Sequence, residues 1–195
     1  MPGGDGNVDG VTTRTGKGNA YVALLRGINL GGRRIPMPEL AGLFLKAGCT
    51  DARTYIASGN VVFGANAALA KKIPDLINAE IKRKYRFDSP VLIRSVDEMT
   101  AIAADNPFLK KKCDPKCLHV VFLADTPAGA SVAALDPRRS PGDEFVVKGG
   151  EIYLHLPHGA AKTKLTNQYF DATLKTVSSG RNWNTVTTLL AMMQG

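Results

Sequence analysis

The sequence predicts an α+β protein made by tandem duplication of ferredoxin-like βαββαβ units, each followed by an extra helix. Three observations predict this class. The order strand, helix, strand, strand, helix, strand is found twice along the 195 residues. The first strand of each half begins at Tyr21 and at Leu118, and the hairpin glycines are Gly59 and Gly150. The sequence separation between the halves is therefore similar for both features. The formal net charge of +8 also divides equally between the two halves.

In the first half, short apolar runs alternate with amphipathic stretches. The strands are predicted at residues 21–25, 53–56, 61–63 and 90–93, and the helices at 37–47 and 69–81. Pro74 requires the second helix to be kinked or to begin near Ile73. Ser95 and Glu98 have the spacing of a capping box, which opens a third helix that ends before Asn106.

The second half repeats this pattern with different turn chemistry. The strands are predicted at residues 118–123, 144–147, 152–156 and 175–177, and the helices at 126–135, 163–171 and from 184 onward. Gly149 and Gly150 separate the middle strands as a hairpin signal, and Thr126-Pro127 is typical of a helix start.

Domain boundaries follow from these elements. The predicted segments are a disordered N-terminal tail at 1–19, a first ferredoxin-like repeat at 20–105, a basic linker at 106–116 and a second ferredoxin-like repeat at 117–195. The tail is rich in glycine and nearly free of large apolar side chains, which is typical of disorder.

Composition excludes several protein classes. Hydrophobic residues make up 44% and charged residues 22% of the chain, which rules out collagen-like, coiled-coil and wholly disordered proteins. Charges interrupt every apolar stretch before about 18 residues, and the N-terminus has no apolar signal region, so neither a membrane span nor secretion is expected. Cys49, Cys113 and Cys117 favour a reducing cytoplasm. Cys113, Cys117 and His119 do not complete the four ligands of a structural zinc site, so no metal is expected.

Four polar motifs interrupt the predicted elements. They are Tyr21–Gly32, Thr54–Phe63, Lys164–Asn167 and Thr176–Thr185. In this order they resemble the bacterial Domain of Unknown Function 1697 family, from about Tyr21 to Met193. The resemblance implies a tandem pair of ferredoxin-like α+β units and no established activity. The family tends to keep Gly-Arg before the Lys-Leu-Thr-Asn run, whereas this chain has Lys162 and Thr163 before Lys164.

Ferredoxin-like topology brings the motif residues onto two edges. The end of the first strand and the first hairpin share one edge of the first repeat, and the last two motifs share the opposite edge of the second. Head-to-tail packing of the repeats would merge both patches into one cleft. The candidate ligand-binding residues are Arg26, Asn29, Arg33, Ser58, Asn60, Lys164, Asn167, Arg181, Asn182, Trp183 and Asn184.

The chemistry of these residues suits a phosphate-bearing ligand with a flat base. Arginines and glycine-loop N–H groups attract anions, asparagines both donate and accept, and Trp183 offers a stacking face. The first loop is neither a P-loop nor a dinucleotide fingerprint. Each motif also has a structural interpretation: Asn182 or Asn184 as a helix cap, Trp183 as a core anchor, and the Ser58 segment as a turn.

The predicted function is binding of a nucleotide, a phosphorylated metabolite or a nucleic acid in the cleft between the repeats. No cofactor or membrane partner is implied, and no catalytic residue is assigned. None of the three histidines has a nearby nucleophile and acidic partner. Two alternatives stay open: an enzyme acting on a small phosphorylated substrate, and a protein-partner or regulatory module. Whether the protein is an enzyme is left undecided.

Overall fold

The computed structural model describes residues 20–111 and 113–195, so the tail predicted at 1–19 lies outside the described residues. The described part forms two four-stranded antiparallel sheets and six α-helices, which confirms the predicted α+β class. Two short 3-10 helices, Leu109–Lys111 and Pro115–Cys117, lie between the halves. None of the described helices is long and apolar enough to cross a bilayer.

The first sheet and its helices come from the first half of the chain. Its elements are β1 (Ala20–Leu25), α1 (Met37–Lys46), β2 (Thr50–Tyr55), β3 (Asn60–Gly64), α2 (Ala67–Tyr85), β4 (Val91–Ser95) and α3 (Val96–Ala104). The strand order is β2-β3-β1-β4. Strand β1 is central and buried on both faces, which explains why it is a continuous apolar run rather than an alternating one.

The second sheet repeats that order. Its elements are β5 (Leu118–Leu123), α4 (Gly129–Ala133), β6 (Glu144–Lys148), β7 (Glu151–His155), α5 (Asn167–Leu174), β8 (Ser178–Asn182) and α6 (Trp183–Gln194). The strand order is β6-β7-β5-β8. Central strand β5 pairs with β7 and β8 in the way that β1 pairs with β3 and β4.

Three apolar cores hold these layers together. An inner core joins both sheets, with Val22 and Leu24 of β1 meeting Val120 and Phe122 of β5. Helices α3 and α6 contribute to the same core, and Trp183 is one of its members. One outer core packs α1 and α2 on the first sheet, and the other packs α5 on the second. The two halves therefore share a buried apolar interface.

Helix boundaries differ from the sequence predictions where a side chain caps the helix. Helix α2 begins at Ala67 because the Asn66 side chain accepts a hydrogen bond from the Leu69 N–H at 2.8 Å, so the alternative start near Ile73 is wrong. Helix α5 begins at Asn167 rather than at 163, because Thr166 caps it. Helix α4 begins at Gly129 rather than at 126. The capping box of Ser95 and Glu98 at α3 is confirmed.

The last strand is displaced from its predicted position. Lys175 ends α5 in a left-handed conformation, with φ of 58°, so the chain becomes extended only beyond it. Strand β8 therefore occupies Ser178–Asn182, and the prediction at 175–177 is wrong. As a consequence Arg181 and Asn182 lie within the last strand rather than after it.

Candidate functional site

Arg181 of β8 joins the second half of the chain to the first. Its Nε donates to Oδ1 of Asn60 in β3, and its Nη2 donates to the carbonyls of Leu25 at 2.8 Å and Gly59 at 3.3 Å. Its Nη1 donates to Ser179 Oγ at 2.9 Å and to the Gly180 carbonyl at 2.7 Å. We call this contact region the Arg181 junction. It brings together three of the four sequence motifs.

The Arg181 guanidinium has no N–H left for a ligand. Its five N–H groups face five acceptors, and the residue is only 8% exposed. Burial lowers the pKa of Arg181 to about 10, so the group stays charged at neutral pH. All five acceptors are neutral, so the dipoles of three carbonyls, one amide and one hydroxyl take the place of water around the Arg181 guanidinium. The sequence prediction that Arg181 attracts an oxyanion is corrected on this ground.

Asn60 has a matching structural role. It is fully buried, and its Nδ2 donates to the Tyr55 carbonyl at 3.1 Å and to Ser58 Oγ at 2.9 Å. Gly59 beside it has a φ of +79°, and a Cβ there would lie 2.9 Å from Leu25 Cβ. Only glycine fits this turn, which places its carbonyl toward Arg181. Asn60 is thus committed to the hairpin and to Arg181.

An ion pair between the two halves lies next to the Arg181 junction in sequence, directly after Leu25. The Nη1 of Arg26, directly after β1, contacts Oδ2 of Asp171 on α5, and both side chains are about a quarter exposed. The other Asp171 oxygen accepts a hydrogen bond from Ser178 Oγ at 2.6 Å. Arg26 is therefore also engaged by the protein itself.

Asn29 fixes the long loop between β1 and α1. Its φ is +57°, its Nδ2 donates to the Ala57 carbonyl at 2.7 Å, and its Oδ1 accepts from the Ile35 N–H at 3.0 Å. These bonds hold the loop against the turn between β2 and β3. Asn29 positions the loop, and both functional groups of its side chain are used in doing so.

The remaining motif residues divide into exposed and buried groups. Arg33, Ser58, Lys164 and Asn184 are exposed. The Arg33 guanidinium lies over the Phe87 ring at 5.7 Å. The backbone of Lys164 bonds to Ser140 and Arg139 on a neighbouring loop, which leaves its ammonium group outside. Asn167, half-buried, begins α5 beside Gly180.

Trp183 and Asn182 serve the fold. Trp183 is 6% exposed within the inner core, so the predicted stacking face for a base is not accessible, a second correction. Asn182 caps α6 by accepting from the Asn184 N–H at 2.9 Å and donates to the Lys116 carbonyl at 3.1 Å. Trp183 as a core anchor and Asn182 as a helix cap therefore describe these residues better than ligand binding does.

A second junction mirrors the first, and the sequence reasoning missed it. Arg94 of β4 donates to Glu151 Oε1 at 2.9 Å, to the Leu123 carbonyl at 2.7 Å and to the Gly150 carbonyl at 3.3 Å. We call this region the Arg94 junction. A cavity of about 450 Å³ opens beside it. The available signal was positional: Arg94 and Arg181 each precede the residue that caps the next helix.

Residues 19–153 match the family described as "Protein of unknown function (DUF1697)". The chain belongs to the DUF1697 family. The match includes the motifs of the first half, whereas those at 164–167 and 176–185 lie after it. The family resemblance predicted from the sequence is thereby confirmed. No curated protein matches this DUF1697 chain.

Among solved structures, the DUF1697 chain is similar to the conserved bacterial protein SP0830 from Streptococcus pneumoniae. The TM-score is 0.68 at 19% sequence identity, covering 91% of this chain and 99% of that one. At this identity the likeness concerns the fold alone.

Metal ligands are not clustered in the described part of this DUF1697 protein, and burial shifts the pKa of two of its side chains, His119 and Cys49. Within residues 20–111 and 113–195, no group of three or more His, Cys, Asp or Glu residues could hold a metal ion. Burial lowers the pKa of His119, and its Nδ1 has no partner among the described atoms. Burial raises the pKa of the Cys49 thiol to about 11, which makes it a poor nucleophile.

Proposed function

We propose that this protein binds nucleic acid through phosphate contacts on the exposed rim of the Arg181 junction. The rim consists of Arg33 and Arg34 on the β1–α1 loop and Lys162 and Lys164 before α5. The observation that carries the proposal is that these four cations are exposed, come from both halves of the chain, and lie on segments that adjoin, through Asn29 and Asn167, a junction whose interior is already satisfied. The chain's net charge of +8 favours the same class of partner.

The contacts across the junction explain how the two sets of cations come to lie on segments that adjoin it. Asn29 ties the β1–α1 loop to the hairpin turn, and Asn60 ties the hairpin to Arg181. On the other side, Asn167, which is three residues after Lys164, lies beside Gly180. Asp171 is paired with Arg26, and Asp143 accepts from Ser140 Oγ, which itself accepts from the Lys164 N–H. The four rim cations outnumber Asp143, so the rim keeps an excess of positive charge toward solvent.

An extended polyanion suits this rim better than a single nucleotide. The free cations stand on separate exposed loops, so one phosphate would contact few of them, whereas a phosphate backbone contacts several at once. With Trp183 buried, the rim has no aromatic stacking face from that motif. The proposed binding is consequently governed by phosphate contacts and carries little base specificity.

Fluorescence anisotropy with labelled single-stranded RNA and duplex DNA, over a potassium chloride series, tests this proposal. The R33A/R34A and K162A/K164A variants should each weaken binding and reduce the slope of log K against log salt by about two, one per cation. The control is K71A/K72A, which removes two exposed lysines from the second turn of α2. That turn lies about 20 Å along the helix from Phe87, where Arg33 is stacked.

The proposal fails if binding shows no salt slope, or if K71A/K72A weakens binding as much as the rim variants do. Tight binding of a free nucleotide that the rim variants abolish would replace the nucleic acid with a small phosphorylated ligand.

We also infer that the two halves are ferredoxin-like repeats from a tandem duplication, with a first repeat at 20–105, a linker at 106–116 and a second repeat at 117–195. The matching strand orders support this inference, as do the matching acceptors of Arg94 and Arg181. The three free cysteines are consistent with the cytoplasmic location that we expect.

A further inference from the structure

The cavity at the Arg94 junction lies between α3 and the β6–β7 hairpin. Its volume of about 450 Å³ is within the range of small-ligand sites, roughly 300–1,000 Å³. Its walls come from α3, the segment after β5, and the hairpin at 148–151. The cavity thus spans the boundary between the two halves of the chain. It belongs to the Arg94 junction, whereas the basic rim belongs to the Arg181 junction.

The two junctions differ in the residue that follows the central strand. At the Arg181 junction, Leu25 donates to the Gly59 carbonyl, and the next residue is Arg26, whose side chain reaches Asp171. At the Arg94 junction, Leu123 makes the equivalent bond to Gly150, and the next residue is Ala124, which lines the cavity. A cation of the protein itself therefore follows the first central strand, whereas the short side chain of Ala124 borders open space after the second.

The cavity lining carries an excess of negative charge. Its carboxylates are Glu98, Asp105, Asp125 and Glu151, and its cations are Arg94 and Lys148. Both cations are already engaged. Arg94 bonds to Glu151 and two carbonyls, and Lys148 Nζ donates to the Asp105 carbonyl at 2.9 Å. Any ligand therefore meets mainly acceptor groups.

Asp105 and Asp125 are the two carboxylates of the lining that neither pair with Arg94 nor cap α3. Asp125 accepts from Thr176 Oγ1 at 3.2 Å, and none of the described residues donates to the Asp105 carboxylate. Asp105 also follows the last turn of α3, where the carbonyl ends of the helix favour a cation. Between the charged groups, Ala101 and Ile102 supply an apolar wall.

We propose that this cavity binds a small aliphatic amine, with its ammonium groups on Asp105 and Asp125 and its methylene chain along Ala101 and Ile102. Phosphate-bearing molecules are disfavoured, because the lining carboxylates repel them. The whole chain has a net charge of +8 and repels a positively charged amine at long range. Any binding of an amine must therefore come from the carboxylates of this cavity.

Isothermal titration calorimetry with spermidine and putrescine on the full chain tests the site. We expect D105N and D125N each to weaken spermidine binding about ten-fold, since a hydrogen bond to a charged group contributes roughly that factor. The matched control is D75N, which neutralises an exposed aspartate on α2 and should bind as the original chain does. A124R, which imitates Arg26 of the other junction, should abolish binding.

Far-ultraviolet circular dichroism and thermal unfolding of each variant confirm that it is folded before titration. Absence of heat from both amines with the folded original chain overturns the proposal. Equal affinity of spermidine for the original chain, D105N, D125N and D75N also overturns it. Inorganic phosphate should not compete, and competition by phosphate would argue against a cation site.

Discussion

Arg94 and Arg181 occupy equivalent positions in the two halves but have different partners. Each pairs with a central-strand valine, Val22 or Val120, and each donates to the carbonyl that ends the other half's central strand. Arg94 then meets the carboxylate of Glu151, whereas Arg181 meets the neutral amide of Asn60. The same bridging geometry is therefore made with a charged acceptor in one place and with neutral acceptors alone in the other.

Access of water explains the difference. Arg94 and Glu151 have 11% and 14% of their side chains exposed and border the cavity, so solvent lowers the cost of a paired charge. Asn60 is fully buried, and a carboxylate in its place would have to lose its hydration entirely. The comparison teaches that the fold uses a bridging arginine at each junction, while local hydration accounts for its partner.

The largest predicted effect comes from removing the bridging arginines. R181M should lower the free energy of unfolding by about 3–5 kcal/mol, because it leaves several buried acceptors without a donor. R94M should cost less, about 1–3 kcal/mol, because water in the cavity can hydrate Glu151. Urea unfolding followed by circular dichroism measures both values. An equal or larger loss in R94M would contradict the role assigned to hydration.

Exchanging the acceptors of the two arginines, an amide for a carboxylate and the reverse, should change the free energy of unfolding less than removing the arginines does. E151Q gives Arg94 a neutral amide, and the expected loss is about 1–2 kcal/mol, smaller at high salt because the lost attraction is ionic. N60D gives Arg181 a carboxylate, but it removes the Nδ2 donor to Tyr55 and Ser58. We therefore expect N60D to destabilise the fold despite the added attraction, and stabilisation by N60D in urea unfolding would refute this reasoning.

The sequence predicted the elements whose signals are local. The apolar runs of β1 and β5 and the capping box of Ser95 needed no tertiary information. The error at β8 has a physical reason, since its sequence Ser-Ser-Gly-Arg-Asn has low β-propensity and forms a strand only by pairing with β5. Tertiary pairing overrode propensity there.

Sequence reasoning anticipated a contact between motifs of the two halves, but not the role of the residues that make it. The contact between Asn60 and Arg181 is of this kind. Sequence reasoning treated Arg181 and Asn60 as free groups, because one sequence does not reveal whether a polar group meets its acceptor within the fold. Arg94 was overlooked since the capping box beside it indicates only the start of a helix, and its equivalence to Arg181 depends on β-sheet register.

The smallest predicted effect concerns the ion pair next to the Arg181 junction, which has no equivalent at Ala124. In a double-mutant cycle of R26A and D171A, we expect a coupling free energy of about 0.5–1 kcal/mol, because both side chains keep about a quarter of their exposure. In 1 M salt the Debye length is about 3 Å, so the coupling should shrink. The more exposed pair of Lys111 and Glu144 serves as the control and should give a smaller coupling. A coupling well above 2 kcal/mol that is indifferent to salt would mean that Arg26 is part of the buried network, and the contrast between a neighbouring ion pair and a hydrogen-bonded interior would have to be abandoned.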